Sequence, residues 1–136
     1  MSSADAQPVV LFLCVHNAGQ MALGWFRHLA DGHAIAYSGG SDPTAEVNPA
    51  AVAVMAEVGI DIGGERPRRW AEADLAAADV VVTMGCGDTC PFVPGTRYED
   101  WPLDDPVGRD LAMVRTVRDQ IAHRVRTLLA GLLAPE

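Results

Sequence analysis

An apolar run, Val9-Val-Leu-Phe-Leu13, ends in Cys14 and gives way to a small-residue turn, Val15-His-Asn-Ala-Gly19, before Gln20-Met21 opens a segment with helical spacing. A continuous apolar run of strand length suits a strand buried on both faces, the usual condition in a parallel sheet, and so commits the chain to helices that cover those faces. The same segment delivers a thiol into a tight loop at a helix N-terminus. Backbone N–H groups point into such a loop and the helix dipole adds partial positive charge, so an anion is favoured there and the pKa of a cysteine falls.

The rest of the chain alternates strands and helices in the same manner. Met21, Leu23, Trp25, Phe26 and Leu29 give a helix closed by Asp31-Gly32, and Ala34 to Ser38 a short strand, followed by a loop through Gly39-Gly40-Ser41-Asp42-Pro43. Asn48-Pro49 supplies a cap and a proline at the first helical position, after which Val52, Met55, Ala56 and Val58 form a stripe that stops at Gly59. Ala71 to Ala78 reads as a helix, Asp79 to Met84 as a buried strand, and Thr96 to Asp100 as a short strand. A last helix runs from about Asp110 to Leu133, with Met113, Val117, Ile121, Val125, Leu128 and Leu132 as its core stripe. The expected fold is a single-domain α/β protein: an open, mostly parallel sheet with helices on both faces, over residues 9–136, preceded by a flexible leader at 1–8.

Composition limits the partners. With 136 residues, of which 49% are hydrophobic, the chain holds one core and has no room for a second domain. A formal charge of −8 opposes encounter with nucleic acid or an anionic membrane surface, so any anionic ligand must be captured by local geometry. No apolar stretch approaches the ~20 residues of a membrane span, and the leader lacks both positive charge and an apolar core, which points to the cytoplasm. Three cysteines in such a compartment suit catalysis, redox chemistry or metal binding better than a disulfide framework, and an odd count fits a nucleophile plus a pair.

Ligands of open α/β sheets bind beyond the carboxyl ends of the strands, and three chemistry-bearing segments fall there. Cys14 leaves the first strand, the loop with Cys86 and Cys90 leaves the strand of Val80 to Val82, and Asp104-Asp105-Pro106 follows the strand around Tyr98. Each has a plainer reading. Cys14 could be a buried core thiol, Cys86 and Cys90 inert or half of a zinc site with Cys14 and His16, and the two aspartates turn formers before proline. His16 and Asn17 suit loop packing, and His28, His33 and His123 suit the surface. The basic cluster Arg66-Pro-Arg-Arg69 suits a solvated face or a dock for an anionic partner.

Cys14-Val-His-Asn-Ala-Gly19, Ser38-Gly-Gly-Ser41, Asn48-Pro49, Val58-Gly-Ile-Asp-Ile62, Thr83-Met-Gly-Cys-Gly-Asp-Thr-Cys-Pro91 and Tyr98-Glu-Asp-Trp-Pro-Leu-Asp-Asp-Pro106 together resemble the low-molecular-weight protein tyrosine phosphatases, and more closely the arsenate reductases built on that fold. The resemblance implies a Cys14 nucleophile, an oxyanion cradle from the backbone of Val15, His16, Asn17, Ala18, Gly19 and Gln20, Asp105 as acid, no bound cofactor or metal, and Cys86 and Cys90 as resolving thiols. It further implies arsenate or a phosphate-like oxyanion as substrate, and an external donor, thioredoxin or mycothiol with its mycoredoxin. One departure is specific. The family loop continues with Arg-Ser before Gln-Met-Ala, whereas here Gly19 runs directly into Gln20-Met21-Ala22. The clamping guanidinium is absent, and the two-residue deletion turns the following helix by roughly 200° relative to the loop, so that the helix either starts later or repacks. The alternatives to a reductase are a phosphatase using the same thiolate and acid, and a degenerate member acting as a binding module or in other thiol chemistry.

Overall fold

The structure, a computed structural model, describes residues 7–14, 18–40, 49–64, 72–84, 96–101 and 110–133. Within them four strands, β1 (Val9–Cys14), β2 (Ile35–Gly40), β3 (Val80–Met84) and β4 (Arg97–Asp100), form one parallel sheet in the order β2-β1-β3-β4. Four helices connect or follow them: α1 (Ala18–Ala30), α2 (Pro49–Ala56), α3 (Glu72–Ala77) and α4 (Leu111–Leu132). The element order is the one expected from the apolar periodicity.

The two faces of the sheet are built by the strand period of two. Val10 and Phe12 of β1 join Val80 and Val82 of β3 in the larger core, against α1, α2 and α4. The intervening Leu11, Leu13 and Val81 form a smaller cluster with Leu75 of α3 on the opposite face. Helices therefore cover both faces, and the continuous apolar character of β1 and β3 follows from burial on both sides. In the larger core the Phe12 ring lies between Phe26 and Trp101, with centroid separations of 5.8 and 5.7 Å.

Two expectations need correction. Gly39 and Gly40, expected in a loop, belong to β2, where they pair with Leu13 and Cys14. The ladder with β1 extends the strand beyond what local turn propensity suggests. The α4 stripe begins at Val114 and not at Met113, which is 36% exposed. A helix turns about 100° per residue, so Met113 lies well off the line through Val114, Val117, Ile121, Val125 and Leu128. Asp110 sets that phase by capping the helix, its Oδ1 accepting from the Met113 N–H at 2.9 Å.

The exit of α2 shows why a glycine stops it. Ile60 N–H donates to Met55 O at 3.0 Å and Gly59 N–H to Ala56 O at 3.0 Å, the paired bonds of a Schellman turn, and Gly59 takes φ +81° to allow them. Ile60 and Ile62 then lie against α1 at Gly24. A Cβ at Gly24 would sit 2.7 Å from Ile62 Cγ2, so the close approach of these segments requires glycine there.

Candidate active site

The sheet order places a topological switch between its two central strands. From β1 the chain crosses through α1 to β2 on one side, and later returns to β3 on the other, so the connections diverge beyond the carboxyl ends of β1 and β3. Cys14 is the last residue of β1, and its Cα partners are Gly40 of β2 and Met84 of β3. The thiol-bearing residue thus stands at the crevice where this architecture binds ligands.

Only three residues separate Cys14 from α1, which begins at Ala18. The first four N–H groups of a helix have no partner within it, and the first turn here contains no acidic residue to compete for them. The N-terminus of α1 therefore follows the chain end of β1 with donors unpaired within the helix and with positive partial charge, the condition in which a thiolate and an oxyanion are both stabilised. The helix begins at Ala18, ahead of Gln20, and does not start later as one of the two expectations had it.

Gln20 is turned into the protein. It is 4% exposed, and its Nε2 donates to Oγ of Ser38, itself 6% exposed, at 3.0 Å. The carbonyl Oε1 is buried and has no hydrogen-bond partner among the described residues. Ser38 lies on β2 opposite Phe12, two residues before the Gly40 that pairs with Cys14. The pair ties the first turn of α1 to the strand beside β1, just beneath the rim. Gln20 was legible as a candidate, but its partner was not, because a contact 18 residues apart has no local signature.

The other segments are anchored on the same rim. Beyond Met84 the chain enters the stretch that carries Cys86 and Cys90 and returns at Thr96. Trp101 N–H donates to Thr83 O at 2.8 Å, extending the β3 ladder past β4, while Thr83 Oγ1 bonds Asp100 Oδ1 at 2.8 Å. Trp101 is buried, with Nε1 donating to Glu99 Oε1 at 3.1 Å. The segment with Asp104 and Asp105 thus departs from a fixed tryptophan and ends at the Asp110 cap of α4. Trp101 is the anchoring residue that the sequence reading missed; an indole at a strand end ahead of a loop was its available signal. Val15, His16, Asn17, Cys86, Cys90, Asp104 and Asp105 lie outside the described residues. So do the side chains of Cys14 and Ala18. Among the described residues no three His, Cys, Asp or Glu side chains gather as a metal site.

Residues 9–135 match the family described as low molecular weight phosphotyrosine protein phosphatase. The chain belongs to this family. Among its relatives, the glutaredoxin arsenate reductase of Synechocystis sp. is 39% identical over 128 residues, covering 90% of this chain and 97% of that protein. A putative arsenate reductase of Halobacterium salinarum is 37% identical over 131 residues, covering 90% and 92%. Among solved structures, an arsenate reductase in the phosphate binding state superposes with a TM-score of 0.78 at 36% identity, over 93% of this chain and 99% of that one. The thioredoxin-dependent arsenate reductase of Corynebacterium glutamicum gives 0.82 at 34% identity, over 93% of this chain; the chain spans 62% of that one. The low molecular weight phosphatase fold expected from the cysteine loop and the Asp105-Pro106 motif is therefore the fold of this chain. No helix among the described residues is long and apolar enough to cross a membrane.

Proposed function

We propose that the protein is a thiol-dependent arsenate reductase acting in the cytoplasm, where thiols are kept reduced. The observation that carries this reading is the parallel pairing of Cys14 with Met84 at the switch between β1 and β3, two residues short of Cys86, in a chain whose relatives are named arsenate reductases. A nucleophile and a second thiol emerging from adjacent strand ends suit a disulfide relay. A phosphate ester hydrolase has no use for the second thiol.

In this reading the Cys14 thiolate attacks arsenic(V), and the free N–H groups at the start of α1, with the backbone from Val15 to Gln20, hold the oxyanion. Asp105 protonates the departing oxygen, which leaves as water. Cys86 then attacks the Cys14 sulfur. The arsenic–sulfur electron pair stays on arsenic, releasing arsenite and leaving a Cys14–Cys86 disulfide, so two electrons pass from the thiols to arsenic. Cys90 takes over the disulfide and presents it to an external dithiol or small thiol. The names of two relatives support a redoxin, glutaredoxin in one and thioredoxin in the other. Mycothiol with its mycoredoxin is the small-thiol version, in which the adduct on Cys14 is resolved directly.

Single-turnover arsenite release tests the reading: fully reduced protein is mixed with arsenate, without donor, and the cysteines are mapped afterwards. Stoichiometric arsenite with a disulfide to Cys86 or Cys90 is expected. If three thiols remain free, the same mixture with mycothiol and mycoredoxin must release arsenite; failure there too, alongside hydrolysis of an aryl phosphate, would make the protein a phosphatase.

A further inference from the structure

A cleft of about 820 Å³ lies between β4 and α4, and its described lining includes no residue of α1. Its walls are regular elements. Arg97, Glu99 and Trp101 alternate along one face of β4, and opposite them α4 presents a polar stripe that includes Gln120, His123 and Arg124. This stripe runs beside the buried stripe of α4, so the helix covers the core with one flank and lines the cleft with the other. The volume is that of a small-molecule pocket, which typically spans about 300–1,000 Å³.

The described lining carries two arginines and two acids, and neither acid pairs with Arg124. Glu99 accepts from Arg97 and from the Trp101 indole, and Asp119, the other acid on the lining, accepts from Arg118 at 2.8 Å. Arg124 is half-buried and has no hydrogen bond or ion pair with any described residue. A planar guanidinium held against a cleft wall without an acceptor is a fork for a carboxylate or phosphate. In a chain with a net charge of −8, long-range attraction for anions is absent, and an unpaired cation inside a cleft is a local exception.

We propose that this cleft binds a small organic anion, whose carboxylate or phosphate group pairs with Arg124 while Gln120 and His123 offer hydrogen bonds to its polar body. Among the described residues the site stands on β4, the adjoining Trp101 and α4, and the proposal does not depend on the chemistry at Cys14. Two-dimensional NMR of the full chain, titrated separately with citrate and with inorganic phosphate, tests it through the Arg124 Nε–H and the Gln120 and His123 amides. Saturable shifts confined to these signals are expected, with affinity about tenfold or more weaker in Arg124→Gln and partly retained in Arg124→Lys. Saturation by citrate alone assigns a carboxylate ligand, and saturation by phosphate alone a phosphate ligand. Phosphate bound at the cysteine loop is read separately from the Gly19 and Gln20 amides. Shifts that never saturate with either anion, or equal affinity in a folded Arg124→Gln, would overturn the proposal.

Discussion

Cys14 and Met84 are parallel partners on the last rung between β1 and β3, with Gly40 closing the other side of Cys14. The cysteine is therefore held at its backbone by two neighbouring strands up to the last residue of β1. Its position is a property of the sheet and needs no bound anion, so changes beneath the rim should act on the site through the geometry of α1 and β2.

The Gln20–Ser38 bond is the clearest such link. Ser38→Ala leaves the buried Gln20 amide without its remaining partner and should cost about 1–3 kcal/mol, since an unsatisfied buried polar group keeps its desolvation penalty. The double variant Gln20→Leu with Ser38→Ala removes the polar pair altogether, including the orphaned Oε1, and should be more stable than Ser38→Ala alone. Chemical denaturation of the four proteins of the cycle checks this. Additive losses would mean that the two side chains do not interact.

Glycine positions give a second test, with opposite physical origins at two sites. Gly24→Ala gains up to about 1 kcal/mol of helix propensity but forces Ile62 and Ile60 aside in a filled core, and overpacking of this kind costs roughly 1–3 kcal/mol. The net effect should be destabilising by about 1 kcal/mol. Gly59→Ala meets no atom within 4 Å, and its cost of about 1–2 kcal/mol comes from the left-handed backbone at φ +81°. Gly59→Asn should recover part of that loss, whereas at 24 the loss should grow with side-chain size beyond alanine. Thermal unfolding of the three variants separates packing from backbone strain.

These two glycines also show what the sequence could and could not disclose. Gly59 was legible as a helix stop because the apolar stripe ended there and a C-terminal glycine has a local cause. Gly24 sits inside a helical pattern, and its cause is a segment more than 30 residues away. The same division holds at the site. Cys14 was legible from a strand, a turn and a helix start that are contiguous in the chain. The burial of Gln20 against Ser38 and the anchoring of Trp101 on β3 arise from pairing between strands, which local patterns do not encode. Met113 failed for a related reason: its spacing from Val117 is helical, but the cap at Asp110 and the packing of α4 select the line through Val114.

Acid should loosen the join between α2 and α4. Arg115 and Arg118 of α4 both donate to Glu57, just past the end of α2, at 2.8 and 2.9 Å. The hydrogen bond from Arg115 leads in holding the Glu57 carboxyl down, from 4.5 to about 2, with Arg118 assisting against a desolvation cost. A carboxylate depressed in the folded state contributes stability that is fully present above its unfolded pKa and lost as pH falls through the folded one. The contribution should therefore fade between pH 4.5 and about 2. Because the carboxylate is exposed, salt should weaken it. Glu57→Gln should flatten that part of the stability profile, losing the contribution at neutral pH and matching the present chain below about pH 2; an identical acid limb in the variant would count against the assignment.

Lengthening the segment between Cys14 and Gln20 tests the proposed anion site most directly. Inserting Arg-Ser between Gly19 and Gln20 supplies the guanidinium fork that the chain lacks, and a charge-assisted bidentate contact is worth about 1.5–3 kcal/mol, or roughly tenfold to a hundredfold in affinity. The insertion also rotates Gln20 by roughly 200° about α1 if the helix keeps its start, which would pull its amide away from Ser38. The gain in anion affinity should therefore come with a loss of stability, and Ser38→Ala, costly in the present chain, should become nearly neutral in the lengthened one. Phosphate binding by calorimetry and denaturation of both backgrounds measure the two effects independently. Tighter phosphate binding with a Ser38→Ala cost unchanged would place the inserted residues in the loop without turning the helix. No gain in affinity would count against the proposed anion site at this segment.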